Sequence, residues 1–198
     1  IKKKMAIIAG SDKKSLARGN AVKYLNQYFP EDESLLSVYE NALKDSSYFV
    51  LGEALNAFAA SKPEKALEIA KEMEGEKGSS IRNAVAKIYV EHGGAKQHDF
   101  FLNAIDEING FGKYQFLQTY HTYLMKQDES EINKGVSMYK DVAANASPWY
   151  IKLAGYQLLN ASKGHYAELA KSTKEELNKA ESGGDTSKVS ELESKFSS

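Results

Sequence analysis

Histidine is the side chain of this chain that is best suited to ligate a metal ion or to move a proton near neutral pH. The four histidines are His92, His98, His121 and His165. No two of them lie three or four residues apart, so no single helix would present two imidazoles to one metal ion. The motifs His-Glu-x-x-His and Glu-x-x-His are both absent from the sequence. The histidine spacing therefore indicates neither a zinc peptidase site nor a di-iron site.

Other motifs that could carry chemistry are incomplete. The run from Gly110 to Lys113 reads Gly-Phe-Gly-Lys, but a phosphate-binding loop needs a preceding strand and a Gly-Lys-Ser/Thr ending. Glu64, Glu68 and Glu72 are spaced by four residues and alternate with lysines, which is typical of a solvated helix face. The chain has no cysteine, hence no thiol nucleophile or thiolate metal ligand. The sequence alone thus predicts no catalytic residue, no metal ligand and no cofactor in this chain.

Charge is balanced overall but uneven along the chain. The 198 residues carry 26 Lys and Arg against 27 Asp and Glu, while residues 1–30 carry a net charge of +6. Lys13, Lys14 and Arg18 are a possible basic contact patch for an acidic partner, and a solvated helix face is the alternative. Arginine, the usual reader of phosphates and base edges, occurs only twice, so we expect no nucleic-acid partner. No apolar run is long enough to predict a membrane span.

Helical periodicity organises most of the sequence. Glycine and proline separate segments of roughly 11 to 17 residues with apolar positions at helical spacing, and none of these segments has the alternation expected of a strand. Three helix starts are predicted: a capping box from Ser61 to Glu64, a Ser147 cap with Pro148 at the first helical position, and an acidic cap from Asp128. Four apolar stripes are predicted, containing Leu35, Leu36, Tyr39, Ala42 and Leu43; Ala66, Leu67, Ala70 and Met73; Phe101, Ala104, Ile105 and Ile108; and Ile132, Val136, Tyr139 and Ala143.

A longer period is also present. Five apolar anchors recur at intervals of 31 to 36 residues: Leu16, Val50, Ile81, Leu117 and Ile151. An interval near 34 residues with one further helix in each gap is typical of stacked helical pairs, which bury their apolar faces against their neighbours. The predicted fold is therefore all-α, a right-handed α-α superhelix (a HEAT/ARM-like solenoid) of about five helix pairs. An irregular helical bundle is the alternative.

The predicted organisation has two parts. Residues 1–164 form the HEAT-like helical repeat domain, and residues 165–198 form C-terminal capping helices. The second part is rich in lysine and glutamate, and Gly183-Gly184 divides it. We expect it to be a polar helical hairpin that closes the end of the solenoid.

Aromatic side chains cluster on two predicted helices. Tyr114, Tyr120 and His121 lie on one of them, and Trp149 and Tyr150 lie on the other. Because tyrosine and tryptophan combine an apolar ring with a polar group, they suit an interface edge. These five residues are the predicted partner-facing surface, with packing between helices as the alternative for each. His121 could serve as a ligand or base, but a packed, hydrogen-bonded imidazole is the simpler interpretation.

Four segments carry a family resemblance. Residues 45–58 read DSSYFVLGEALNAF, 62–67 read KPEKAL, 108–116 read INGFGKYQF and 147–154 read SPWYIKLA. With the Lys/Glu-rich tail, they resemble the C-terminal HEAT-like helical domain of bacterial zinc metallopeptidases of the aminopeptidase N family. The likeness lies in pattern and order, and it spans most of residues 15–182.

The resemblance implies a parent enzyme that removes N-terminal residues from peptides. Its zinc ligands and its Gly-x-Met-Glu-Asn substrate loop would lie in an upstream catalytic domain, and neither motif occurs here, so no catalytic or zinc-binding residue is assigned to this chain. The implied role is to pack on the parent's own catalytic domain and to limit access of the peptide substrate. A free-standing HEAT- or TPR-like scaffold for protein–protein interaction is the main alternative, and a nucleic-acid-binding HEAT module is disfavoured by the charge.

Overall fold

The computed structural model describes the backbone of residues 1–184, 186–187 and 189–190, and the side chains of these residues except 165–174, 177 and 180. The described part is all-helical and contains no strand, so the predicted all-α class is confirmed. Two short 3-10 helices, Glu33–Leu35 and Ala95–Gln97, precede the third and seventh α-helices. The α-helices are α1 (Lys2–Ser11), α2 (Ser15–Tyr28), α3 (Leu36–Ala42), α4 (Tyr48–Ser61), α5 (Pro63–Glu72), α6 (Ser79–His92), α7 (His98–Glu107), α8 (Gly110–Leu124), α9 (Glu129–Asn145) and α10 (Trp149–Gly183).

The predicted apolar stripes supply much of the core. Each of the four stripes buries at least two of its members, and the buried ones are Leu35, Tyr39, Ala42, Ala66, Ala70, Phe101, Ala104, Ile105, Ile132, Tyr139 and Ala143. Four of the five repeat anchors are also buried: Val50, Ile81, Leu117 and Ile151. Leu16 is the exception, with 64% of its surface exposed, because α2 buries Gly19, Ala21, Val22 and Leu25 instead.

Only one of the three predicted helix starts has the predicted chemistry. The Asp128 carboxylate accepts a hydrogen bond from the backbone N–H of Glu131 at 3.0 Å, as an acidic cap should. The other two predictions are wrong about the capping residue, although Pro63 lies in the first turn of α5 as its spacing predicts. Helix α4 continues through Ser61, so Lys62 rather than Ser61 precedes α5. Helix α10 begins at Trp149, one residue after Pro148.

The first compact unit of the chain, Ile1–Ile132, is organised around its even-numbered helices. Helix α2 contacts α4, α4 contacts α6, and α6 contacts α8. The odd-numbered helices contact these neighbours, with α3 on α4, α5 on both α4 and α6, and α7 on α8. A Cβ atom at Gly52 would lie 2.7 Å from the Ser80 carbonyl oxygen, so glycine is what allows α4 and α6 to approach this closely.

The second compact unit, Asn133–Ser198, contains most of α9 and all of α10. A Cβ atom at Gly155 would lie 2.6 Å from the Ala143 backbone nitrogen, which shows how closely these two helices pack. The predicted boundary at 164/165 falls inside α10, which continues to Gly183. Gly184 then adopts a left-handed conformation, with φ +71°, at the predicted break. The second arm of the predicted hairpin lies largely outside the described residues.

Candidate functional site

A polar groove crosses α4, α6 and α8 in the first unit. It consists of two adjoining cavities of about 490 Å³ and 290 Å³ that share Asn83 of α6 as a lining residue. The larger cavity is lined on its other side by Gln115 and Thr119 of α8, and the smaller one by Asn56 of α4. We call this surface the amide groove, because Asn56, Asn83 and Gln115 place one side-chain amide on each of the three helices.

The amides of the groove are not used by the fold. Among the residues that the structure describes, the side chains of Asn83 and Gln115 have no hydrogen-bond partner, and both residues are exposed. The Oδ1 atom of Asn56 is buried and also lacks a partner there. Since buried polar atoms are nearly always hydrogen-bonded, an unpartnered buried acceptor on a groove is unusual for a purely structural asparagine.

Charged side chains are present at the groove, and several are already paired. Arg82 forms an ion pair with Glu107 at 3.7 Å, and Glu53 lies 3.9 Å from Lys23. Lys87 also lines the smaller cavity. The groove is therefore neither strongly acidic nor strongly basic.

A second groove, of about 710 Å³, lies beside α7 and shares Arg82 with the amide groove. Carboxylates outnumber cations along it, and it contains Glu74, Glu76, Asp99, Asp106 and Glu107 against Lys77, Arg82 and Lys96. The Glu74 carboxylate accepts a hydrogen bond from the Tyr89 hydroxyl, so one of the five carboxylates supports the core. Burial, followed by this hydrogen bond, raises the pKa of the Tyr89 hydroxyl far above its usual range.

Sequence reasoning missed a buried polar network. His98, at the start of α7, is 2% exposed, and its Nδ1 atom bonds the carboxylate of Glu131, which is 7% exposed. Its Nε2 atom lies 2.6 Å from the hydroxyl of Tyr120, which is fully buried on α8. Since a carboxylate only accepts, Nδ1 carries a proton, and in the neutral imidazole Nε2 accepts from the Tyr120 hydroxyl.

The His98 network contains the residue types of a proton relay, but its side chains are not accessible from either groove. His98, Glu131 and Tyr120 line neither of the two grooves described above. Burial raises the pKa of the Tyr120 hydroxyl well above its usual value, so this hydroxyl stays protonated at neutral pH. The arrangement ties the start of α7 to α8 and to the first turn of α9, and its direct effect is on packing.

The predicted partner-facing residues differ in exposure. Tyr120 is buried in the His98 network rather than facing a surface. Tyr114 and His121 are half-buried on α8, and the Tyr114 ring stacks on Phe111 with centroids 5.6 Å apart. In the second unit, Trp149 is 73% exposed beside the half-buried Tyr150. Tyr114 and His121 thus lie in one unit, and Trp149 and Tyr150 lie in the other.

The predicted basic patch contains one residue that the fold uses. Lys13 and Lys14 are exposed. The Arg18 guanidinium instead binds Asp45 through two hydrogen bonds, Nε to Oδ2 at 2.6 Å and Nη2 to Oδ1 at 2.8 Å. The side-chain hydrogen bond from Arg18 lowers the pKa of the Asp45 carboxyl, and the backbone N–H of Ser47 adds to this effect. Asp45 thereby links α2 to the start of α4.

Two further kinds of site have no candidate in the part of the chain that the structure describes. There, no group of three or more His, Cys, Asp or Glu side chains is placed to hold a metal ion. No helix in that part combines the length and the apolar character that crossing a membrane requires. Comparisons with family models, with curated proteins and with solved structures gave no match.

Proposed function

We propose that this chain is the non-catalytic C-terminal helical domain of a zinc-dependent aminopeptidase. In this proposal its helices form a right-handed α-α superhelix of about five pairs that packs on the catalytic domain and limits peptide access. The zinc ion belongs to the parent's catalytic domain, and this chain holds no cofactor. Its partners are that catalytic domain and the peptide substrate, with no nucleic acid.

One observation carries the proposal. The helices α2, α4, α6 and α8 contact one another in chain order, as the even members of stacked pairs would. Three of the four segments that resemble the aminopeptidase domain lie in this layer or beside it: residues 45–58 include most of α4, residues 62–67 begin α5, and residues 108–116 begin α8. The resemblance therefore falls on the elements that build the layer.

Two measurements test the proposal. The coding sequence in frame before Ile1 is expected to encode His-Glu-x-x-His. The purified chain is expected to hydrolyse no aminoacyl-p-nitroanilide, with or without added zinc. A chelator-sensitive aminopeptidase activity of the chain alone would contradict a non-catalytic role. A gene without the zinc motif would contradict the aminopeptidase parent.

A free-standing HEAT- or TPR-like scaffold is the second candidate, and the amide groove favours it. The exposed, unused amides of Asn83 on α6 and Gln115 on α8 suit a binding surface whether or not a catalytic domain lies upstream. The reading frame separates the two candidates, because a scaffold gene would contain no zinc motif.

A further inference from the structure

We propose that the layer of even-numbered helices continues before α2, and that a further helix of the protein, encoded upstream of Ile1, packs on the surface formed by Asp12 and Leu16. This inference goes beyond the proposed function, since it holds for an aminopeptidase domain and for a free-standing scaffold alike.

One polar contact recurs at each step of the layer. A carboxylate three residues before an even-numbered helix is held by a donor side chain from the first turn of the even-numbered helix before it. The three pairs are Asp45 with Arg18 at 2.6 Å, Glu76 with Tyr48 at 3.0 Å, and Glu107 with Arg82 at 3.7 Å. Each donor is the first or the fourth residue of its helix. The contact therefore has the same register from α2 to α8, as in stacked repeats.

Asp12 is the equivalent carboxylate for α2, because it lies three residues before that helix begins. Its Oδ1 atom accepts a hydrogen bond from the backbone N–H of Lys14 at 2.8 Å, and the Oδ1 atom of Asp45 accepts one from that of Ser47 at 2.9 Å. Within the described residues, however, no side chain donates a hydrogen bond to the Asp12 carboxylate. Arg18 interacts with it electrostatically, but the guanidinium hydrogen-bonds the Asp12 main-chain carbonyl and the Asp45 carboxylate. Asp12 thus has the position of the series without the donor.

An apolar contact recurs beside the polar one. The second residue of α4, Phe49, lies against Gly19, and the second residue of α6, Ser80, lies against Gly52. Each glycine is the fifth residue of the preceding even-numbered helix, and a Cβ atom on it would overlap its neighbour. Leu16 is the second residue of α2, and it is 64% exposed. A small residue on a preceding helix would give Leu16 the same cover.

The third step of the layer shows what this contact requires. The second residue of α8, Phe111, is also 64% exposed, although α6 precedes it in the layer. The fifth residue of α6 is Asn83, so this step has no glycine to receive the ring. The polar contact therefore recurs at three steps, and the apolar contact recurs at the two that have a glycine.

These registers specify the occupant. The donors precede their carboxylates by 25 to 28 residues. We therefore expect an arginine, lysine or tyrosine about 14 to 17 residues before Ile1, in the first turn of a helix, with a glycine or alanine within the next few residues.

The test uses the absence of cysteine from the chain, which lets single cysteines report exposure. Leu16→Cys is prepared in residues 1–198 and in the full-length protein, and its alkylation by iodoacetamide is followed by mass spectrometry of the peptide that contains it. Labelling should be at least about tenfold slower in the full-length protein, because a covering helix must open first. Phe111→Cys is the matched control, since Phe111 has the same exposure and the same position in its helix. It should be labelled at similar rates in both proteins.

Asp12→Asn tests the polar contact. The asparagine side chain keeps an oxygen for the backbone N–H of Lys14 but loses the charge that the upstream donor would bind. In the full-length protein it should make the labelling of Leu16→Cys about fivefold faster, the effect of one weakened hydrogen bond. In residues 1–198 it should leave the labelling unchanged.

Three results would overturn the inference. The first is an upstream sequence with no such donor and no amphipathic helix within about 40 residues of Ile1. The second is equal labelling of Leu16→Cys in the two proteins. The third is protection of Leu16→Cys in residues 1–198 alone as their concentration rises, which would make a second copy of the chain the occupant. None of these results bears on the zinc motif, so this inference and the proposed function can fail separately.

Discussion

Replacing one member of the buried His98 network should destabilise the first unit strongly, and replacing two members should restore part of the loss. His98→Leu leaves the Glu131 carboxylate, 7% exposed, without the imidazole that bonds it. Removing the bonding partner of a buried ionised group in this way costs about 3–5 kcal/mol, because the Glu131 carboxylate loses that bond while it stays desolvated. Glu131→Leu removes the charge but leaves the imidazole Nδ1–H buried without its acceptor.

The double variant removes both the Glu131 carboxylate and the His98 imidazole. The Tyr120 hydroxyl then loses its bond to the His98 imidazole, and Tyr120→Phe added to the pair removes that hydroxyl as well. A double-mutant cycle should therefore give a coupling free energy of about 2–3 kcal/mol between His98 and Glu131. A chain of this length loses about 2–4 °C in Tm per kcal/mol, so His98→Leu alone should lower Tm by roughly 6–20 °C.

Urea unfolding followed by far-UV circular dichroism measures the free energies of unfolding, and hydrogen exchange at α7 localises the effect. Glu129→Leu is the control, because Glu129 is an exposed carboxylate in the same first turn of α9. It corrects for the interaction of a carboxylate with the helix dipole. Additive single substitutions, with a coupling below about 0.5 kcal/mol, would refute the network as a cooperative unit.

Three further outcomes are expected. Asp45→Asn should weaken the link to Arg18. Because the folded pKa of Asp45 is depressed, the stabilisation from its carboxylate is present above about pH 4 and is lost as pH falls through the folded pKa. In Tm measurements from pH 7 to pH 3, the variant should therefore lose less stability at the acid end than the wild type. Gly52→Ala should lower the free energy of unfolding in urea by about 1–3 kcal/mol, because the added Cβ atom would press on the Ser80 carbonyl. Gly10→Ala is the control, because open space surrounds the added Cβ atom there, and it should raise the free energy of unfolding by a few tenths of a kcal/mol or more. Acrylamide should quench the fluorescence of Trp149 nearly as well as that of free tryptophan, and weak quenching would contradict its exposure.

Features set by local spacing could be predicted from the sequence. The stripe from Phe101 to Ile105 and the acidic cap at Asp128 each depend on residues within one or two helical turns, and both occur as expected. The prediction of Leu16 as a buried anchor was wrong, because periodicity places a residue on one face of a helix but does not show whether another helix covers that face. Ser61 fits a capping pattern, yet α4 continues through it, and Lys62 alone separates α4 from α5.

The His98 network could not be predicted by the same means. His98 and Glu131 are 33 positions apart, and His98 and Tyr120 are 22 apart, so their meeting depends on how α7, α8 and α9 pack. One local signal was available. His98 lies three residues before Phe101, on the face that α7 turns to the core, and a histidine at such a position needs buried partners. The amide groove likewise depends on the contacts of three helices, although each amide lies on a predicted helix.

The three side-chain amides of the amide groove should differ in their effect on stability. Asn83 and Gln115 are exposed and make no hydrogen bond within the described part of the chain, so their removal should change the free energy of unfolding by no more than about 0.5 kcal/mol. Asn56 differs, because leaving a buried oxygen unpartnered costs about 1–3 kcal/mol. An apolar residue of similar size would relieve that cost and stabilise the free protein. Asn56→Leu should therefore raise Tm, measured by far-UV circular dichroism, because it removes the unpartnered oxygen without leaving a cavity. A lower Tm for Asn56→Leu would instead show that the asparagine amide stabilises the fold.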